Sequence, residues 1–103
     1  MIAIIKTTDE FDEWLEKLKD RKAADIILGK LHRIRSGLLG EIKFFNGIGE
    51  LRIHYGAGYR VYFTKKGDKI IILLCGGDKS TQSSDIQKAL SLLKDLKNEI
   101  ENL

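Results

Sequence analysis

The sequence predicts an α+β fold in which helices pack on a mainly antiparallel sheet, in the order β-α-α-β-β-β-β-α. Apolar residues recur at helical spacing near both ends of the chain. Between Gly40 and Cys75 the period changes to two, and the turns joining those segments are too short for a crossover, so neighbouring strands run antiparallel.

Ile2 to Lys6 is a β-favouring run. Thr7 and Glu10 have the spacing of a capping box, which starts a helix there. Phe11, Trp14, Leu15 and Leu18 then form one apolar stripe, with Asp12, Glu13, Glu16 and Lys17 on the other side. A second helix runs from Lys22 to Arg35 on the stripe Ala24, Ile27, Leu28, Leu31 and Ile34, and Ser36-Gly37 ends it. With Asp20-Arg21 as the joint, the pair makes a helical hairpin.

Glu41 to Phe45 and Gly49 to Tyr55 are separated by Asn46-Gly47, the dipeptide of a type I′ hairpin turn, whose two central residues both need positive φ. Gly56-Ala57-Gly58 turns into a strand from Tyr59 to Thr64, and Lys65 to Asp68 turns into the last, Lys69 to Cys75. The unbroken run Ile70 to Leu74 predicts a strand covered on both faces. A polar stretch, Asp78 to Ser84, precedes a third helix that starts at the Ser84/Gln87 capping box and carries Ile86, Leu90, Leu93, Leu96, Ile100 and Leu103 to the end.

The 103 residues, 11.7 kDa, fit a single domain spanning 1–103, long enough to bury a core without disulfides or a structural metal. Cys75 is the single cysteine and reads as a small buried hydrophobe. His32 and His54 are too far apart for a metal motif, so no metal or cofactor is expected. Trp14 lies on an apolar stripe and is expected to pack in the core. The loop Gly76-Gly77-Asp78-Lys79-Ser80-Thr81 lacks the spacing and the βαβ setting of a phosphate-binding P-loop. The longest apolar run, Ile70 to Cys75, falls far short of the roughly 20 residues of a membrane span. The start of the chain has no charged segment leading to a cleavage site. The expectation is a cytoplasmic protein without a membrane partner.

Charge is unevenly spread. Residues 21–69 carry eleven Lys and Arg against four acids, whereas 1–20 carry three Lys against six acids. A basic block between acidic helices suits a polyanion-facing surface, and it equally suits an ordinary lysine-rich surface.

Alternation along the strands puts Glu50, Arg52 and His54 on one face, joined by Arg60, Tyr62 and Thr64 from the neighbouring strand, with Lys43 a possible addition. The apolar sets are expected to meet the helices and leave this strip on a polar face. Metal-free cleavage of RNA needs a base for the 2′-hydroxyl, cations for the pentavalent phosphate and an acid for the leaving 5′-oxygen. Glu50 or His54 fits the base, Arg52 and Arg60 the cations, and Lys79 or His54 the acid if the loop after the last strand folds back. The same strip also fits a cross-strand Glu50–Arg60 ion pair on a solvated sheet, worth about a few tenths of a kcal/mol.

Glu50-Leu51-Arg52-Ile53, Gly58-Tyr59-Arg60-Val61-Tyr62-Phe63 and the segment from Leu73 to Gln82, containing Gly76-Gly77-Asp78-Lys79-Ser80-Thr81-Gln82, stand in this order. Together they closely resemble the signature of phage-derived addiction module killer proteins, a HigB-like branch of the RelE/ParE toxin superfamily. The Phe11, Trp14-Leu15 and Leu18 pattern fits the same family, so the resemblance spans essentially the whole chain. It implies a RelE-like fold, with an N-terminal helical hairpin and a C-terminal helix on a curved sheet. It also implies a type II toxin that cleaves mRNA in the ribosomal A site without metal and is silenced by a cognate antitoxin, usually a helix-turn-helix DNA-binding protein.

Carried over by position, Arg60 matches the sheet arginine that stabilises the transition state, and Glu50 stands where some relatives place a carboxylate base. Arg52 and Lys43 correspond to basic residues that grip the RNA backbone, and Lys79 and Gln82 belong to the family's loop. The resulting catalytic set is Glu50, Arg52, His54, Arg60 and Lys79, with Lys43, Tyr62 and Gln82 on the RNA. The sequence departs from several relatives in having no His or Tyr after Gln82, which leaves Lys79, His54 or Tyr62 to act as acid. Two alternatives remain: a ParE-like toxin that inhibits DNA gyrase without acid–base chemistry, and a catalytically degenerate nucleic-acid-binding module. ParE-like relatives generally lack this constellation, which favours the nuclease.

Overall fold

The computed structural model describes residues 4–37 and 40–103. The elements are β1 (Ile4–Thr7), α1 (Asp9–Lys17), α2 (Arg21–Arg35), β2 (Ile42–Phe45), β3 (Ile48–Ile53), β4 (Tyr59–Lys66), β5 (Ile70–Gly77), a 3-10 turn (Lys79–Thr81), α3 (Gln82–Asp95) and α4 (Lys97–Glu101). The expected strand start at Ile2 and Ala3 lies outside the described residues.

Thr8, and not Thr7, caps α1, its Oγ1 accepting from the Phe11 amide at 3.1 Å. The same hydroxyl donates to the Leu74 carbonyl at 2.5 Å, so the cap also fastens the helix to the sheet. Asp20 caps α2 by accepting from the Ala23 amide at 3.1 Å. The adjacent Arg21 donates from one Nη to the carbonyls of Leu15, Glu16 and Leu18 at 3.2, 3.2 and 3.0 Å, meeting the carbonyls left free where α1 ends. Two neighbouring side chains therefore set the hairpin angle.

The five strands lie in the order β1-β5-β4-β3-β2. β2 to β5 form the expected antiparallel meander, and the β2–β3 turn has Asn46 at φ 51° and Gly47 at φ 85°, as a type I′ turn requires. β1 pairs in parallel with β5, the helical hairpin forming the crossover's start, so β5 has partners on both edges. Opposite Tyr62 and Phe63 stand Cys75 and Leu73, which leaves Leu74 as an extra residue in a β-bulge.

Helices cover both faces of the sheet, as the run Ile70 to Leu74 predicts for β5, whereas alternation in β3 and β4 predicts a polar, open face there. On the first face Phe11, Ala23, Ile27, Leu31 and Ile34 pack against Leu51, Ile53, Val61, Phe63, Ile71 and Leu73. On the second, Ile48, Tyr62, Ile72, Leu74, Cys75 and Ala89 form a separate core with Ile86, Leu90, Leu93 and Leu96 packed on it. The apolar stripe of α3 needs a partner surface, and Ile48, Ile72 and Leu74 supply it on the face that also carries Glu50 and Tyr62. α3 begins at Gln82 and not Ser84, because the preceding turn is organised by Asp78. Its carboxylate accepts from the Ser80 amide at 2.8 Å and it forms a capping box with Thr81. The long helix expected to run to the C-terminus breaks at Leu96 into α3 and α4.

Gly76 and Gly77 at the end of β5 let helices close from both sides. A Cβ on Gly76 would meet the Trp14 indole at 2.4 Å, and one on Gly77 would meet the Asp85 carboxylate at 1.7 Å. Trp14 also packs on Phe11, ring centroids 5.9 Å apart, in agreement with a core role. Among the described residues no helix is long and apolar enough to cross a membrane.

Candidate functional site

The register of β3 and β4 pairs Arg52 directly with Arg60 and Glu50 with Tyr62, while β2 sets Lys43 opposite Glu50. Side chains directly opposite in an antiparallel pair share a face. Two arginines are thus side by side above a carboxylate, at the edge of the area α3 covers.

Glu50 is 1% exposed and is the centre of a hydrogen-bonded group. Its Oε1 accepts from Arg52 Nε at 3.1 Å, and its Oε2 accepts from the Tyr62 hydroxyl at 2.9 Å and from Gln82 Nε2 at 3.0 Å. Arg60 Nε lies 3.8 Å from the same Oε2. That buried Nε–H has no hydrogen-bond partner among the described residues, and one Nη of Arg60 donates to the Gly58 carbonyl at 3.2 Å. Burial pushes the Glu50 carboxyl up, but the hydrogen bonds from Gln82, Arg52 and Tyr62 outweigh it and hold the group below the ordinary carboxylate value. The Tyr62 phenol moves far in the other direction, raised by burial and then by its bond to the Glu50 carboxylate, so it keeps its proton and donates.

A cleft of about 400 Å³ opens beside this group, lined by residues 52–60 and by Lys79. The turn carrying Lys79 does fold back over the sheet end. Its amide donates to the Ala57 carbonyl at 3.4 Å, and Gly58 is packed so closely that a Cβ there would touch the Lys79 Cβ at 3.4 Å. The side-chain exposure of 34% for Arg52 and 13% for Arg60 makes the first the more open of the two guanidiniums. His54 stands on the rim, hydrogen-bonded to Glu41, and that bond, followed by the charge interaction with His54, lowers the Glu41 carboxyl. Two guanidiniums, a lysine and an imidazole therefore border one cleft, with one buried carboxylate beside it, which suits a phosphodiester: charge to stabilise it and groups able to move a proton.

Glu50, Arg52, Arg60, Tyr62 and Gln82 come together as one group, with His54 and Lys79 at the cleft. Lys43 stays apart, its ammonium 5.9 Å from the centre of the Phe45 ring. Tyr62 is fully buried and Gln82 spends its amide on Glu50, so both have internal partners where contacts with RNA were expected. Glu50, expected as an accessible base, is sealed beneath α3. Glu41 was missed although the pattern carries it: it has the parity of Lys43, and the register that sets Lys43 opposite Glu50 brings Glu41 opposite Arg52, one diagonal step from His54. The link between Asp85 and Thr81, Oγ1 to Oδ2 2.5 Å, which steadies the Lys79 turn, was missed as well. Cys75 is buried as expected, and burial pushes its thiol up to about 12. Among the described residues no group of three or more His, Cys, Asp or Glu is placed to hold a metal ion.

The family model described as phage derived protein Gp49-like (DUF891) matches residues 9–94. An uncharacterized protein of Haemophilus influenzae is 50% identical over 93 residues, covering 89% of this chain and 94% of its own. Among solved structures, a double arginine mutant of the E. coli toxin RelE in the free state superposes with a TM-score of 0.67 at 12% identity, covering 88% of this chain and 96% of that one. The fold is RelE-like, as the sequence predicts.

Proposed function

The chain belongs to the phage derived Gp49-like protein family, and from that membership and its RelE-like fold we propose that it is the toxin of a type II toxin–antitoxin system, HigB-like in kind, which cleaves mRNA on the ribosome and so inhibits translation. The observation that carries the reading is the directly paired Arg52 and Arg60 beside a cleft that Lys79 and His54 also line.

In this mechanism His54, oriented by Glu41, takes the proton from a ribose 2′-hydroxyl. The 2′-oxygen attacks the adjacent phosphorus, Arg60 and Arg52 balance the charge of the pentavalent phosphate, and Lys79 gives a proton to the departing 5′-oxygen. A 2′,3′-cyclic phosphate and a 5′-hydroxyl end result. No metal or other cofactor takes part. The ribosome supplies the alignment of the mRNA, which for an in-line attack is worth several kcal/mol of barrier. Lys43, outside the cleft, contacts the RNA backbone further along. The partners are the ribosome, mRNA and a cognate antitoxin, of the helix-turn-helix DNA-binding type, in the cytoplasm.

The test is induction of wild type and Arg60→Ala in cells lacking the antitoxin, with mRNA 5′ ends mapped alongside growth. Wild type is expected to create new ends inside translated codons and Arg60→Ala to lower them by about 10²–10³-fold, the usual cost of losing a transition-state charge donor. Growth arrest with a DNA damage response and no new ends would move the reading to a ParE-like gyrase inhibitor.

A further inference from the structure

Arg52 and Arg60 face each other across an antiparallel pair, an arrangement that costs stability when the two charges are alike. One buried carboxylate offsets it. Oε1 of Glu50 holds Arg52 by its Nε, and Oε2 faces Arg60 Nε at 3.8 Å while accepting from Tyr62 and Gln82. Resting on the phosphodiester-cleaving reading above, we propose that Glu50 is a positioning residue and not the base: it sets the two guanidiniums side by side at the cleft, and Gln82 is the strut that ties the Lys79 turn to the same carboxylate.

Three features carry this. At 1% exposure, Glu50 has no path to a 2′-hydroxyl, and its accepted hydrogen bonds occupy both oxygens. Gln82 is the first residue of α3 and follows the Lys79–Thr81 turn directly, so its bond to Glu50 fixes where that turn stands over the cleft. Arg60 is drawn toward Glu50 without being bonded to it, and with one Nη held by the Gly58 carbonyl its other Nη is left for a ligand.

Charge alone and positioning predict opposite signs. Glu50→Gln removes a negative charge next to the cleft, so simple electrostatics strengthens binding to a polyanion, whereas loss of the anchor weakens it. The probe is a fluorescein-labelled 2′-O-methyl RNA octamer, which cannot be cleaved by 2′-hydroxyl attack, titrated by anisotropy with the full chain at fixed salt. Glu50→Gln is expected to bind at least threefold more weakly than wild type, and Gln82→Ala, which retains the carboxylate, also more weakly. In ribosome-dependent cleavage between pH 5 and 8, both variants are expected to lose kcat while keeping the wild-type pH profile. Should Glu50→Gln fail to fold by circular dichroism, Gln82→Ala carries the same two readouts.

Wild-type or tighter octamer binding by a folded Glu50→Gln, or a pH profile that departs from wild type's, overturns the positioning role while wild-type cleavage still stands. A wild type that neither binds the octamer nor cuts mRNA removes the nuclease reading and this inference with it.

Discussion

Replacing Gly76 by Ala puts a methyl group where the structure has an indole. The new Cβ would lie 2.4 Å from Trp14 Cε3, 2.4 Å from Cζ3 and 2.6 Å from Cδ2. Non-bonded carbons settle at about 3.5–4.0 Å, so ring or strand has to retreat by about 1 Å or more. β5 is held on both edges by β1 and β4, so the half-buried indole yields first and leaves its position on Phe11. Overpacking of this kind costs about 1–3 kcal/mol, and the aromatic pair is worth about 0.5–1.5 kcal/mol. Together these amount to about 2–4 kcal/mol, which in a chain of this size lowers Tm by about 10–20 °C. Trp14 is the single tryptophan, so its emission reports the movement directly. Thermal unfolding followed by circular dichroism should show the fall in Tm, and native emission should shift to the red. In a Trp14→Leu background the same substitution should cost much less. A Tm within about 3 °C of wild type with unchanged emission would refute the reasoning.

Gly77→Ala drives its methyl into the Asp85 carboxylate, 1.7 Å away, and should break the Asp85–Thr81 bond that steadies the Lys79 turn. The expected result is octamer affinity and mRNA cutting lowered more than Tm; unchanged affinity in a folded protein would sever the turn from the site. Cys75, pushed from 9.0 to about 12, should react with a thiol reagent about a thousandfold more slowly in the native protein than in urea, from thiolate fraction alone. Comparable rates in the two states would mean that β5 is open to solvent. Glu50, held below its unfolded value of about 4.3, contributes stability that is present above that pH and lost as pH falls through its folded value. Between pH 5 and 3 the Tm of wild type should therefore drop more steeply than that of Glu50→Gln, and parallel slopes would remove Glu50 from the acid transition.

Local signals carried the elements, and one kind of partnership escaped them. Asn46-Gly47 fixes a turn through the φ its two residues tolerate, and the stripes Phe11 to Leu18 and Ala24 to Ile34 fix helices through their period, so these are legible in a window of a few residues. The parallel pairing of β1 with β5 joins residues 66 positions apart, as Ile4 with Ile70, and nothing near Ile4 announces its partner. The covering of the second sheet face by α3 is of the same kind. Alternation identifies which side chains share a face, but the polar residues on this one suggested solvent, while the stripe from Ile86 to Leu96 required an apolar floor. The stripe was the stronger signal, because partly burying several leucines around a fully buried Ala89 outweighs enclosing one carboxylate that brings its own donors.

That enclosure also explains what was legible at the site. Strand period alone puts Glu50, Arg52, Arg60 and Tyr62 together, since the face of a strand residue follows from its parity. It says nothing of depth, and depth decides chemistry: the same carboxylate is a base when water reaches it and an anchor when Tyr62 and Gln82 close over it. Gln82 is the residue in which the two levels meet. In sequence it is one polar position of a loop; in the fold it opens α3 and bonds across to Glu50 at 3.0 Å. A helix that must dock through its leucines therefore also delivers an amide to the buried carboxylate and a lysine to the mouth of the cleft. Packing of α3 and placement of Lys79 are coupled through that one contact, so a substitution such as Ala89→Leu, which forces α3 off the sheet at a residue with no exposed surface, should weaken octamer binding without touching any residue of the cleft. Full affinity in a folded Ala89→Leu protein would show that the turn holds its position independently of the helix.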